Sequence, residues 1–166
     1  LQNLCREIIG QQLSVKAANS IWGKLTKNIN SNKKFIFKIE SIDIDDHKKY
    51  GLSRNKLFFI KNLIHKVKNK ELKLSSLNKL SNDAVINTLI QFKGIGKWTA
   101  EMFLIFALNR IDIFSVNDLG LKNAIKKLYK LENISEDELI RLTHKWKPYR
   151  SVVSWYLWRY LDNKYL

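Results

Sequence analysis

At residues 92–97 the chain reads Phe92-Lys93-Gly94-Ile95-Gly96-Lys97. This stretch separates two segments whose apolar residues recur at helical spacing, one from about Asp83 to Ile90 and one from about Trp98 to Leu108. With two glycines one residue apart, it is too short and too rich in glycine to form anything but a turn between helices. The sequence therefore predicts a tight interhelical hairpin at these residues.

The hairpin has the composition of a phosphate-binding turn. Gly94 and Gly96 permit backbone N–H groups to point outward together at the start of the next helix, which is a favourable place for an anion. Lys93 and Lys97 flank the turn and add charge attraction without reading sequence. An isolated Gly-x-Gly turn is more often an ordinary connection. The interpretation therefore depends on the rest of the chain.

The remaining sequence also predicts helices. With one proline and six glycines in 166 residues, and no linker rich in Gly, Pro or Ser, the chain reads as a single all-α domain over residues 1–166, a compact array of roughly eight to ten helices. Ser14, Asp118 and Ser135 stand where helix N-caps are expected, and Glu138 completes a capping box with Ser135. Pro148 is predicted to open the last helix.

Two other segments carry weaker or more specific expectations. The region near residues 28–34 is polar and predicts a loop, and the region from about Phe35 to Asp46 is weakly patterned. The helix after the hairpin is expected to bury Met102, Phe103 and Phe106.

The composition limits the classes of partner and site. A formal net charge of +15, spread along the chain, favours a polyanion, with nucleic acid first and an anionic membrane surface second. No apolar run approaches the ~20 residues of a spanning helix and no signal peptide opens the chain, so we expect an intracellular protein. The single cysteine, Cys5, excludes an internal disulfide and a site built from several thiolates. His47, His65 and His144 lack metal-ligand spacing, so no side-chain metal site is expected.

Four stretches together resemble the helix-hairpin-helix DNA glycosylases, and most closely their 3-methyladenine DNA glycosylase II class. They follow one another in the order of that family and span nearly the whole chain. They are Ile8-Ile9-Gly10-Gln11-Gln12-Leu13-Ser14, Gln91-Phe92-Lys93-Gly94-Ile95-Gly96-Lys97-Trp98-Thr99-Ala100, Phe114-Ser115-Val116-Asn117-Asp118-Leu119-Gly120 and Trp146-Lys147-Pro148-Tyr149-Arg150-Ser151.

The resemblance implies an active-site cleft between two helical lobes and Asp118 as the essential carboxylate. Cleavage of an N-glycosidic bond puts positive charge on the deoxyribose, which a fixed carboxylate stabilises while it orients or deprotonates a water. An aspartate in this context is also a good N-cap, and both roles are compatible. Asn117 and Asp112 are the nearest rivals for the catalytic position.

The resemblance also implies the walls of the base pocket. Trp98 stands where family members that cleave the strand carry a lysine, so no Schiff base and no lyase activity are expected. An indole there suits a cationic alkylated base. Trp158 would be a second aromatic wall, and Met102 replaces a tyrosine of some relatives. Core packing is the alternative role for each tryptophan.

The turn Gln11-Gln12-Leu13 lies where the family inserts a side chain into the duplex after the nucleotide flips out. Gln12 is the first choice for this wedge and Leu13 the second, while an ordinary polar turn is about as well supported for either alone. The implied partner is double-stranded DNA with damaged bases, bound by a monomer that needs no cofactor. A cation bound by backbone carbonyls near Phe92 is a further expectation.

Two other functions stay open at this point. One is a DNA-binding module that uses the hairpin without catalysis, and the other is a glycosylase for oxidised or mismatched bases. The chain lacks the cysteines of an iron-sulfur cluster, and it has Trp98 in place of the lysine of strand-cleaving members. Both absences count against the best-known glycosylases for oxidised or mismatched bases.

Overall fold

The structure, a computed structural model, describes residues 1–162 and consists of helices joined by short loops. Within that range there are nine α-helices, two 3₁₀ helices and no strand, which confirms the all-α prediction. The longest helix has 15 residues, and none in the described range has the length and apolarity needed to cross a membrane. The α-helices are α1 (Gln2–Gly10), α2 (Val15–Thr26), α3 (Asn32–Ser41), α4 (Arg54–Lys68), α5 (Asn82–Leu89), α6 (Lys97–Phe106), α7 (Leu119–Tyr129), α8 (Glu136–His144) and α9 (Arg150–Leu161).

The backbone contacts group into two compact units, the first from Leu1 to Phe103 and the second beginning at Leu104. The division falls within α6. The expectation of one domain over residues 1–166 stays a prediction.

In the first unit, α1 packs on α2 and α4, and α3 packs on the same two helices. The apolar residues of α1 recur every three or four positions, so they share one face, and that face is fully buried. Each such aliphatic side chain contributes about 1.5–3 kcal/mol by leaving water. The buried residues of α1 and α4 are Leu4, Cys5, Ile8, Ile9, Leu57, Ile60, Leu63 and Ile64.

In the second unit, α7 packs on α9. Its core combines both helices with α8 and the segment before α7. The buried members are Phe114, Leu121, Ala124, Ile125, Leu139 and Leu157. This core holds the N-terminus of α7 in place, where Asp118 lies.

The capping predictions are confirmed. The Ser14 hydroxyl accepts from the Ala17 N–H at 3.2 Å and begins α2. Ser135 and Glu138 form the predicted capping box at the start of α8. Caps are readable from sequence because their hydrogen bonds join residues only a few positions apart.

The prediction for residues 28–46 was wrong in part, because α3 occupies much of this region. Ser31 caps α3 by accepting from the Lys34 N–H. Phe35 and Ile39 are buried one turn apart, whereas Phe37 is 75% exposed. Apolar side chains on two faces of a short helix obscure the helical period, so the pattern was weak.

Two finer predictions also fail. The last helix begins at Arg150, not at Pro148, because the Tyr149 N–H donates to the Trp146 carbonyl and closes a turn that contains the proline. In α6, Met102 and Phe103 are buried as expected, but Phe106 is 46% exposed.

Candidate active site

The carboxylate of Asp118 is held by two donors at the N-terminus of α7. Its Oδ1 atom accepts from the Leu121 backbone N–H at 2.7 Å and from the Trp158 indole N–H at 3.0 Å. The side chain is 7% exposed. The N-terminal end of a helix carries partial positive charge, which favours an anion there. Asp118 is therefore a helix cap and a buried, oriented carboxylate at once.

Gly120 makes room for this arrangement, and the sequence reasoning missed it. A Cβ atom on Gly120 would lie 3.0 Å from Asp118 Oδ1 and 3.2 Å from Trp158 Cδ1. Those distances are too short for ordinary van der Waals contact, so a side chain would displace the carboxylate or the indole. The glycine two residues after the aspartate was the available sequence signal.

Trp158 contributes more than an aromatic face. Its indole N–H binds Asp118, and its ring lies 5.7 Å from the Phe106 ring, centroid to centroid, with the planes tilted by 31°. Phe106 is thereby an exposed aromatic neighbour of Trp158 that the sequence reasoning assigned to the core. The role of Trp158 as a wall of the base pocket stays a prediction.

The two rivals of Asp118 are placed differently. Asp112 pairs with Arg150 through both carboxylate oxygens, at 2.6 Å from Nε and 3.1 Å from Nη2. Hydrogen bonds from Arg150 hold the pKa of the Asp112 carboxyl below its usual range. Asn117 is exposed. Asp112 thus joins α9 to the segment before α7.

The hairpin between α5 and α6 forms as predicted. The Ile95 N–H donates to the Phe92 carbonyl at 3.0 Å, and Ile95 is buried, so its side chain anchors the turn. Gly94 has a φ of +87°, in the left-handed region. Its Cβ position lies 2.4 Å from the Phe59 ring, so only glycine fits.

The other hairpin residues face solvent at the start of a helix. Lys93, Gly96 and Lys97 are exposed. The Gly96 carbonyl accepts from the Ala100 N–H, which makes Gly96 the residue preceding the first turn of α6. The first N–H groups of a helix have no partner within it, and they are suited to a phosphate. DNA contact by Lys93, Gly94, Ile95, Gly96 and Lys97 stays a prediction.

The predicted wedge residues separate into two kinds. Both amide hydrogens of Gln11 are engaged inside the protein, on the Gly94 carbonyl and the Thr99 hydroxyl, each at 2.8 Å. Gln12 is exposed with a left-handed φ of +57°, and Leu13 is 39% exposed. The amide nitrogen of Gln11 is therefore engaged within the protein. DNA contact by Gln11, Gln12 and Leu13 stays a prediction, with Gln12 or Leu13 as the wedge.

Trp98 and Met102 belong to the first unit, whereas Asp118 and Trp158 belong to the second. Trp98 is partly buried and Met102 is 2% exposed. Their contact with a flipped base stays a prediction.

Side chains that bind metals do not cluster in residues 1–162, where no group of three or more His, Cys, Asp or Glu has a suitable arrangement. The Phe92 carbonyl, near which a backbone-bound cation is expected, accepts the Ile95 N–H. That cation stays a prediction.

Residues 5–148 match the family model described as HhH-GPD superfamily base excision DNA repair protein. The chain belongs to this superfamily. HhH-GPD membership accounts for the order of the four resembling stretches, because the match runs from α1 to the turn before α9.

Relatives of this HhH-GPD protein carry consistent names. DNA-3-methyladenine glycosylase 1 of Schizosaccharomyces pombe is 33% identical over 95% of this chain and 71% of its own length. Alkylbase DNA glycosidase-like protein mag2 of the same yeast is 33% identical over 95% of this chain and 76% of its own length. The solved structure of an S. pombe 3-methyladenine DNA glycosylase in complex with abasic DNA superposes with a TM-score of 0.80 at 32% identity, covering 95% of this chain and 78% of that one.

Proposed function

We propose that this HhH-GPD protein is a monofunctional DNA glycosylase that removes alkylated purines of the 3-methyladenine type from duplex DNA. The observation that carries the proposal is the buried carboxylate of Asp118, held at one oxygen by the Leu121 and Trp158 N–H groups. The names of the two yeast relatives support the substrate class. The protein acts as a monomer and requires no cofactor. It works in the compartment that holds the DNA, which is the cytoplasm or the nucleus depending on the organism.

The chemistry follows from a charge that is fixed before the substrate arrives. As the N-glycosidic bond breaks, the deoxyribose becomes cationic, and a carboxylate that needs no reorientation stabilises it. The same carboxylate orients or deprotonates the attacking water. A purine alkylated at N3 or N7 is already cationic, so its base departs without much help from a general acid. It also gains from stacking on the indole faces of Trp98 and Trp158.

Binding and extrusion are assigned to the first unit. The hairpin at residues 93–97 holds a backbone phosphate, and Gln12 or Leu13 fills the space that the flipped base leaves. Extrusion costs a few kcal/mol and least for a destabilised pair.

The deciding experiment is base release from alkylated DNA. Purified protein is incubated with duplex DNA treated with dimethyl sulfate, and the released bases are separated by chromatography. We expect 3-methyladenine to appear at a rate far above spontaneous loss. Tight, salt-sensitive DNA binding without base release would instead favour a DNA-binding module. Base release only from duplexes with oxidised or mismatched bases would favour a glycosylase for those bases.

The products of the reaction test the absence of lyase chemistry. Because Trp98 offers no amine, we expect an intact abasic strand that breaks only after alkali is added. Borohydride should trap no covalent adduct with DNA. A substantial adduct at neutral pH that disappears in a Lys97→Ala variant would place the protein among the strand-cleaving enzymes.

Replacing Trp158 with phenylalanine separates the two roles of its side chain. Phenylalanine keeps an aromatic face but cannot donate to Asp118, and a hydrogen bond to a charged group is worth about 1.5–3 kcal/mol. We expect single-turnover base release to fall about tenfold or more while duplex affinity is retained. Trp155→Phe is the matched control, since Trp155 lies on the same helix and packs on Arg159. Equal rates in both variants would contradict a role for the indole N–H.

A further inference from the structure

The Gln11 side chain connects two surface turns that lie far apart in sequence. Its Nε2 atom is 2.8 Å from the Gly94 carbonyl oxygen and 2.8 Å from Thr99 Oγ1, across 83 and 88 residues. The carbonyl can only accept a hydrogen bond, so the atom facing it must be the amide nitrogen. Both amide hydrogens are then used, and Thr99 is 2% exposed. Gln11 thus ties the turn at residues 11–13 to the hairpin.

Lys56, in the first turn of α4, holds the same turn from a second direction. Its ammonium donates to the Ile9 carbonyl at 2.8 Å and to the Gln11 carbonyl at 2.6 Å, at the C-terminal end of α1. The last carbonyls of a helix have no partner within it and favour a cation. A lysine in the first turn of its own helix is electrostatically unfavourable there. Hydrogen bonds to these two carbonyls therefore offset the unfavourable electrostatic energy of Lys56 at the N-terminus of α4.

Helix α4 also contacts the hairpin. Phe59 lies three residues after Lys56, on the same face of α4, and its ring packs directly against the Gly94 backbone. One helix face therefore touches both turns, while Gln11 bridges them. The turn at residues 11–13, the hairpin and α4 are therefore each connected to the other two within the first unit.

We propose that Gln11 and Lys56 are positioning residues that hold the wedge turn, Gln12 and Leu13, in a fixed position relative to the phosphate-binding hairpin. The turn and the hairpin then act as one rigid element, which binds the phosphate and inserts the wedge together. This rests on the proposed function. A phosphate contact sets the register of the protein on the duplex. A wedge whose position relative to that phosphate contact is fixed enters the duplex opposite the intended nucleotide. Because the turn is already ordered, its insertion costs little conformational entropy.

The first test compares Gln11→Leu with Gln2→Leu. Leucine retains similar bulk but donates no hydrogen bond. Gln2 is a half-buried glutamine of α1 whose amide donates to the Asn32 side chain in an exposed hydrogen bond. Single-turnover release of 7-methylguanine is measured from one duplex with the lesion opposite cytosine and one with it opposite an abasic site. We expect Gln11→Leu to lower the rate on the paired lesion by about 10- to 100-fold, and Gln2→Leu to leave it unchanged.

The unpaired lesion distinguishes positioning from a general loss of structure. An unpaired base costs less to extrude, so the rate of Gln11→Leu should recover there to within about threefold of the wild type. Affinity for undamaged duplex should stay nearly constant. An equal loss on both duplexes, or no loss on either, would overturn the proposal.

Lys56→Met provides a second variant. Its control is Lys61→Met on the same helix, since the Lys61 ammonium donates to the Glu40 carbonyl in an exposed hydrogen bond. Lys56→Met should show the same selective defect on the paired lesion, measured on protein whose melting curve confirms the folded state. A wild type that releases no base from either duplex and no 3-methyladenine from DNA treated with dimethyl sulfate would refute the proposed function itself. A wild type that works, with both variants working equally well on the paired lesion, would refute only the coupling.

Discussion

Replacing Asp118 with asparagine is expected to lower base release by about a thousandfold while leaving duplex binding nearly intact. Asparagine is as good an N-cap as aspartate, and its Oδ1 can accept the same N–H groups of Leu121 and Trp158. What it removes is the negative charge opposite the developing cation. Single-turnover release and equilibrium binding, measured on the same duplex, separate the two effects.

Asp112→Asn is the matched control for loss of a carboxylate. Asp112 is engaged with Arg150, so its substitution should lower the melting temperature without changing the rate per folded molecule. Wild-type turnover in Asp118→Asn, or a comparable collapse in Asp112→Asn, would move the catalytic role away from Asp118.

The two hairpin glycines are expected to respond very differently to alanine. In Gly94→Ala the new Cβ would lie 2.4 Å from the Phe59 ring at a φ of +87°. Overpacking and left-handed strain each cost about 1–3 kcal/mol, so the free energy of unfolding should fall by several kcal/mol. Gly96 has open space at its Cβ position, and Gly96→Ala should change stability by less than about 1 kcal/mol.

Denaturant unfolding monitored by circular dichroism measures both variants. Folded Gly96→Ala should still bind all duplexes more weakly, because the contact it perturbs carries no sequence information. Adding Phe59→Ala to Gly94→Ala should restore part of the stability by relieving the clash. If Gly94→Ala were as stable as the wild type, the packing of the hairpin on α4 would be wrong.

The features predicted from sequence are those that local interactions determine. The hairpin follows from Gly94 and Gly96, and the starts of α2, α7 and α8 follow from caps that act within one turn. The exposed Phe37 hid α3, because the helical period is visible only when apolar residues share a face.

The parts of the site that could not be predicted depend on distant contacts. The bond from Trp158 to Asp118 spans 40 residues, and those of Gln11 to Gly94 and Thr99 span more than 80. No periodicity or spacing encodes which side chain meets which across such separations. The resemblance implies Trp158 only as an aromatic wall, which stays a prediction, whereas the folded chain shows its indole N–H at the carboxylate.

The burial of Cys5 in α1 bears on how the protein survives the reagents that create its proposed substrates. Alkylating agents attack thiolates readily, and Cys5 is the only cysteine in the chain. Its side chain is 0% exposed, and burial raises the pKa of the thiol to about 12. The reactive thiolate is therefore disfavoured at neutral pH. The cysteine of the folded protein is thereby protected from the alkylating agents whose damage to DNA the protein is proposed to repair.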